Sequence, residues 1–440
     1  MHLDAVKVLA AGAVAPHAVV AIPVNNEAER IGACLDALAA QRDLRGKTFA
    51  VLLLLNNCID ATARIVRQRR PSLPFALHVV HRRLAAADAH AGWARRLAME
   101  AAASLLGPSG VILTTDADGR ADPGWVAANL AAVDAGADLV CGYIRADRAE
   151  HARLPAAVIA RGRLEARYDW LLAEIAARLD PVPHDPWPHH RMASGASLAI
   201  RIAAYRAIGG LMPLPLGEDR MLAACVADIE GRIRHSLAAR VVVSCRLDGR
   251  AEGGMATTIR RRAENPHLPC DPALEPVGIA LRRAGWRASL RRLHRAGLLA
   301  SETAWCRLLL LPPDVAERAA ACTLFGQAWA AIEAASPLLA RRPLEPDELP
   351  RHIAVARRVV AALRAAVGME LPLQHVEPIT FGPGLVQHAA EAAGGGDEAA
   401  CGVVAAQRIV GLADPVHQRD VAARLQRPLG KRSHPLEIAG

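Results

Sequence analysis

The sequence predicts an α/β chain: a mostly parallel sheet with helices on both faces, followed by a largely helical C-terminal region. Three observations predict it. Short apolar runs of strand length alternate with segments of helical apolar spacing from Ala18 to Tyr143. Polar clusters follow three of those runs: Asn25-Asn26-Glu27, Asn56-Asn57 and Asp116-Ala117-Asp118. In parallel sheets, such clusters at carboxyl strand ends are where ligands bind. From about Pro266 the pattern becomes helical and rich in Arg and Ala.

The elements follow in order. Ala18 to Pro23 is a short apolar strand, and Ala28 to Gln41 has helical spacing at Ile31, Leu35 and Leu38. Phe49 to Leu55 is a continuous apolar strand, with a helix from Ala61 to Arg70. Phe75 to His81 is a third strand, Gly92 to Leu106 a helix, and Val111 to Thr115 a fourth strand. Pro123 to Ala135 is helical with Pro near its first turn, and Ala137 to Tyr143 is a fifth strand. Residues 150–180 form a helical excursion. Pro181 to His190 is too rich in proline for regular structure and is a loop. Arg240 to Ser244 is a further apolar run. The expected domains are 1–265, a helical region 266–427 broken by Pro312-Pro313, Pro337 and Pro343, and a disordered tail 428–440.

Composition narrows the function classes. The chain has 440 residues, enough for two or three domains, and a formal net charge of +9. Its bases are almost all arginine, with lysine only at Lys7, Lys47 and Lys431. Heavy Ala and Arg usage points to a GC-rich, bacterial genome, so the positive charge is partly a coding habit. No array of basic and aromatic residues suggests nucleic-acid binding. Nine cysteines at irregular spacing, with no Cys-x-x-Cys, suit a reducing cytoplasm. The longest uncharged N-terminal run, Val8 to Asn26, is broken by Pro16, Pro23 and paired asparagines and reads as a buried strand with its approach loop rather than a membrane span. With no convincing signal peptide, a cytoplasmic protein is expected.

The chemistry is concentrated at Asp116-Ala117-Asp118. On an extended chain, residues i and i+2 point to one side. Two carboxylates then offer hard oxygen ligands to Mg²⁺ or Mn²⁺. Around this pair stand Ile22-Pro23-Val24-Asn25-Asn26-Glu27, Asn56-Asn57-Cys58-Ile59-Asp60-Ala61-Thr62 and Gly217-Glu218-Asp219, in that order along the chain. With Ala91-Gly92-Trp93-Ala94-Arg95, Ser194-Gly195-Ala196-Ser197 and Ile208-Gly209-Gly210, the set resembles the GT-A catalytic domain of family 2 glycosyltransferases over roughly residues 15–262.

That resemblance implies roles. Pro23, Asn25, Glu27, Asn56, Asp60 and Asp116 would line the donor-nucleotide site, with Asn56 where relatives usually have an Asp gripping the base. An amide there both donates and accepts hydrogen bonds. Asp116 and Asp118 would hold the ribose and a divalent metal on the diphosphate. Asp219 would be the general base toward an acceptor hydroxyl, supported by Glu218. Arg246 and Arg250 lie on the expected diphosphate side. Trp187 and Gly195 would lie on the acceptor side. The His that completes the metal shell in many relatives is missing, as is the Gln-x-x-Arg-Trp motif of some processive ones.

Plainer readings stand beside these. Asn56-Asn57 also reads as a strand-end turn, Glu27 as a first-turn helix charge, and Glu218-Asp219 as the cap of a helix Arg220–Ala227. The His184–His190 loop reads as an acceptor-side lid or a surface loop in preference to a zinc site, since nothing sets a tetrahedral geometry. The function expected is transfer of a sugar from a nucleoside-diphosphate sugar, UDP-sugar favoured, to a hydroxyl on a small molecule, lipid or oligosaccharide. The transfer would be inverting and non-processive. The alternatives are a sugar-phosphate nucleotidyltransferase and a non-catalytic GT-A-like binding subunit. The first lacks its Gly-rich loop and Lys after the first strand; the second sits poorly with retention of Asp116, Asp118 and Asp219. The stretch Leu281 to Arg295 reads as a packed amphipathic helix and admits peripheral membrane contact.

Overall fold

The computed structural model describes residues 15–249 and 253–367. They divide into two compact units: 15–155 with 189–264, and 156–188 with 265–367. Arg250, the end of the expected helical region and the expected tail lie outside the described residues.

The first unit is built on eight strands: β1 (Ala18–Val24), β2 (Phe49–Asn56), β3 (Ala76–Arg82), β4 (Val111–Thr114), β5 (Arg120–Ala121), β6 (Leu139–Ala146), β7 (Leu198–Arg201) and β8 (Ile233–Val243). They form one sheet in the order β3-β2-β1-β4-β7-β6-β8-β5. The first four are mutually parallel, and β6 runs parallel to β8. β7 is antiparallel to both β4 and β6, and β5 to β8, so the sheet is mixed.

Alternation along the strands builds two cores. Ala18, Val20, Ile22 and Val24 of β1 face one cluster with Ile31, Leu35 and Leu38 of the helix Ile31–Ala39 and with Trp125 and Leu130 of the helix Trp125–Asp134. Val19 and Ala21 face the other, with Ala98, Met99 and Ala102 of the helix Ala91–Ser104 and Leu222 and Val226 of the helix Glu218–Asp228. β2 is buried on both faces, which is why its sequence is a continuous apolar run rather than an alternating one. Trp125 is fully buried and donates its indole N–H to Ser197 Oγ at 2.9 Å, so the polar edge of that large side chain is satisfied.

Two local expectations are corrected. β4 ends at Thr114, and Asp116 to Gly119 is a turn closed by the Gly119 N–H on the Asp116 carbonyl at 2.9 Å. The acidic pair therefore sits on a turn, not on an extended chain, and the i, i+2 argument does not apply. The helix expected at Arg220 starts at Glu218, with Gly217 as its N-cap at φ 80°. Only glycine adopts that left-handed conformation without steric cost.

The second unit is helical. Tyr168, Leu172 and Ile175 of the helix Ala156–Leu179 share a core with Val277, Leu344, Ile353 and Val360. Another core gathers Leu290, Trp305, Phe325, Trp329 and Ile332. Buried charges here are paired: Arg283 takes both oxygens of Glu275 at 2.9 and 2.7 Å, and Glu174 accepts from Arg178 at 2.8 Å and from Arg364 at 2.7 and 2.8 Å. No helix among the described residues is long and apolar enough to cross a membrane.

Candidate active site

The carboxyl ends of β1 and β2 are knitted together by their own loops. Pro23 lies within β1 beside Leu54, and Asn25 Nδ2 donates to the Asn56 carbonyl at 2.7 Å. Asn26, at φ 51°, accepts the Ile59 N–H on its Oδ1 at 2.9 Å. Asp60 accepts from the Ala28 N–H at 3.1 Å and from the Thr62 hydroxyl at 2.5 Å, while Thr62 Oγ1 accepts the Glu27 N–H at 2.9 Å. Partial burial opposes ionisation of Asp60, but the Thr62 hydroxyl and nearby N–H groups outweigh it and hold the carboxyl below its ordinary range. Asp60 is thus the organiser of this loop pair. At the end of β2, the Asn56 Oδ1 is buried with no hydrogen-bond partner among the described residues. A buried acceptor left unpaired costs about 1–3 kcal/mol, which a ligand N–H arriving there recovers.

Glu27 precedes the helix Ile31–Ala39, so its charge is not in a helical first turn. Its carboxylate is buried and grips Arg246 through two bonds, Oε1 at 2.5 Å and Oε2 at 2.9 Å. The same guanidinium reaches Asp118 Oδ2 at 3.1 Å. Arg246 is steered there by the segment after β8. Glu150 accepts the Ser244 hydroxyl and the Cys245 N–H, each at 2.7 Å, and is itself held by Arg30 at 2.7 Å. Burial and the neighbouring Asp116 charge push the Asp118 carboxyl up to about 6, with Arg246 opposing.

Asp116 belongs to a second ion network, centred on Arg95. This arginine is 4% exposed, on the helix Ala91–Ser104. It donates to Asp116 Oδ1 at 2.7 Å, Glu218 Oε1 at 3.1 Å, Thr114 Oγ1 at 2.9 Å and the Gly195 carbonyl at 2.9 Å. Gly195 returns its N–H to Asp219 Oδ2 at 2.9 Å, and Asp219 Oδ1 accepts the Arg220 N–H at 2.7 Å. Asp219 is half-buried inside the first helical turn, where the positive end of the helix dipole favours a carboxylate. Glu218 is buried; desolvation raises its carboxyl, Arg95 opposes this and Asp219 adds to it. A Cβ on Gly195 would meet the Arg95 guanidinium carbon at 2.4 Å, so the close approach requires glycine.

Sequence reasoning placed Arg95 at a helix start without a role. The signal was present: Arg95, Ala98 and Ala102 share the buried face of that helix, and an arginine among buried alanines needs partners. Glu150 was missed altogether, because nothing local distinguishes it from a surface charge.

The acidic turn was tested as a cation site by its donor set. Asp116 Oδ2 and Asp118 Oδ1 are not taken up by the two arginines, and both are hard oxygens. Burial has also made Asp118 reluctant to stay ionised without more positive charge. Those residues fit a divalent ion of the Mg²⁺ or Mn²⁺ class.

Residues 19–178 match the family model described as glycosyl transferase family 2. Over that stretch the chain is similar to family 2 glycosyltransferases. A search of curated proteins finds no match. Among solved structures, the chain is similar to S. aureus TarS 1–349 in complex with UDP-GlcNAc, at 16% identity and a TM-score of 0.40, over 80% of this chain and 92% of that one. It is also similar to the mannosyltransferase PcManGT from Pyrobaculum calidifontis in complex with GDP-Man and Mn²⁺, at 17% identity and a TM-score of 0.38, over 86% and 80%. A third is glucosyl-3-phosphoglycerate synthase from Mycobacterium tuberculosis, at 16% identity and a TM-score of 0.35, over 57% and 77%.

Of the expected site residues, Glu27, Asp118 and Arg246 meet in one ion cluster, and Asp116, Glu218, Asp219 and Gly195 in the other. Trp187 belongs to the second unit, where its ring packs on Trp170 at 5.0 Å between centroids.

Proposed function

We propose that the chain transfers a sugar from a nucleoside-diphosphate sugar, UDP-sugar favoured, to a hydroxyl acceptor in a single inverting, non-processive displacement. One observation carries this reading. The Asp116–Asp118 turn and the Glu218-Asp219 helix start share a buried guanidinium, so donor-type and base-type carboxylates stand together. Asn56 meets the base with its unpaired acceptor, beside the loops ordered by Asp60. Asp116 and Asp118 would hold a divalent ion, which would supply positive charge to neutralise the diphosphate. Arg246 supplies further positive charge to the leaving diphosphate, where it matters most as charge develops. Asp219 takes the proton of the acceptor hydroxyl as the oxygen attacks the anomeric carbon and the diphosphate departs. Its orientation by the Gly195 N–H favours reach to a hydroxyl over random rotation. A cytoplasmic setting goes with this reading, since nine irregularly spaced cysteines with no Cys-x-x-Cys suit a reducing compartment.

The test is a panel of UDP-, GDP- and dTDP-sugars scored by thermal shift with Mn²⁺. Ligands that bind the native state raise its stability with concentration. A UDP-sugar is expected to give the largest shift. No shift with any donor at concentrations well above ordinary donor affinities overturns the reading.

A further inference from the structure

Arg95 has five N–H donors, and its hydrogen bonds go to two motifs with different tasks. On one side it holds Asp116, in the acidic turn after β4. On the other it holds Glu218 and the Gly195 carbonyl, and across the Gly195 backbone, whose N–H donates to Asp219, it restrains that carboxylate. The Arg95–Glu218 pair is dry, at 4% and 6% exposed, while the Asp116 side chain at its other end is 40% exposed. In a dry site, charge released by one carboxylate is felt by the next, because water does not screen it.

We propose that Arg95 is a positioning residue that couples donor binding at Asp116 to the orientation of Asp219. The proposal rests on the transferase reading above. When a donor and its cation draw on the Asp116 carboxylate, the Arg95 charge is freed from that side and committed to Glu218 and the Gly195 carbonyl. The Gly195 backbone is then held more firmly at its carbonyl, and through its N–H so is the carboxylate of Asp219. Without donor, Arg95 is shared between the two sides. The coupling is reciprocal: whatever weakens the Glu218 side returns Arg95 to Asp116 and opposes donor binding.

Two glycines keep the junction compact. Gly195 leaves room for the guanidinium plane. Gly92, one helical turn before Arg95, admits the chain at Leu214 that leads into Gly217 and Glu218: a Cβ there would lie 1.9 Å from the Leu214 carbonyl oxygen. Both close approaches bring the base-bearing segment against the helix that carries Arg95.

The experiment uses the full chain and UDP with Mn²⁺, without acceptor, in isothermal titration. Glu218→Gln keeps the shape and an acceptor oxygen but removes the charge. It is expected to weaken UDP binding by about five-fold or more, although Glu218 belongs to the motif assigned to the acceptor side. Arg95→Lys keeps one charge and loses the planar fork. With donor saturating, it is expected to lower kcat by about ten-fold or more while the acceptor KM changes less, and Arg95→Met is expected to be worse. If Arg95→Lys does not fold, Glu218→Gln still decides. UDP affinity equal in wild type and Glu218→Gln overturns the coupling alone. A wild-type chain that binds none of UDP, GDP or dTDP overturns the donor reading and the coupling with it.

Discussion

Gly92 lies so near Leu214 that a Cβ at residue 92 would come within 1.9 Å of the Leu214 carbonyl oxygen and 2.9 Å of its carbonyl carbon. Backbone cannot yield as a flexible side chain does. Gly92→Ala is therefore expected to destabilise the first unit by about 1–3 kcal/mol, as overpacking does. It also displaces the segment leading to Glu218-Asp219, so turnover falls by more than the folded fraction does. Urea denaturation beside activity per folded molecule measures both; an unchanged midpoint would show that the segment moves away freely.

Asp219→Asn is nearly isosteric, can keep the Gly195 N–H bond at the expense of the Arg220 N–H bond, and cannot take a proton at neutral pH. Losing a general base costs about 10²- to 10⁴-fold in rate. Nucleotide affinity is expected to stay near wild type, because the donor loops are ordered by Asn25, Asn26, Asp60 and Thr62. Near wild-type turnover by this variant, once donor and acceptor are in hand, would move the base role to Glu218.

Asp118→Asn removes a half-buried anion that faces Arg246 and the acidic turn. Nucleoside-diphosphate binding is expected to weaken mainly when Mn²⁺ or Mg²⁺ is present. Titrations with and without the ion separate the effects. Equal affinity of wild type and variant in both series would exclude Asp118 as an ion ligand.

Arg246→Ala strands the buried Glu27 carboxylate, whose two oxygens both depend on this guanidinium. An unpaired buried charge-assisted acceptor costs about 1–3 kcal/mol or more. Both thermal stability and diphosphate affinity are expected to drop, with Arg246→Lys recovering the charge but not the two-pronged grip. A variant that binds UDP as tightly as wild type would assign Arg246 to loop order only.

Glu174 offers a stability test with a defined sign. Hydrogen bonds from Arg364, against the penalty of burial and with help from Arg178, hold its carboxyl below the ordinary 4.5. A depressed carboxyl stabilises the fold above the unfolded value, and the contribution is lost as pH falls through the lower folded value. Glu174→Gln is expected to be less stable than wild type at pH 7, with the gap closing below about pH 4.5. A gap that stays constant from pH 7 to pH 3 would show that lost packing, not charge, accounts for it.

The sequence by itself determined the alternation of strands and helices in the first unit and the order of the polar clusters that follow β1, β2 and β4. It also set the proline-rich loop at 181–190. These are local properties: apolar period, side-chain bulk and backbone freedom act within a few residues. Only the tertiary structure decided that β7 enters between β4 and β6 in the opposite direction, and that Asp116 and Asp118 stand on a turn. It alone paired Arg95 with Glu218, 123 positions away, and Arg246 with Glu27, 219 positions away. A charged side chain in a sequence states that it needs a partner once buried. Which partner it finds depends on the order of the strands in the sheet, and no local pattern carries that order.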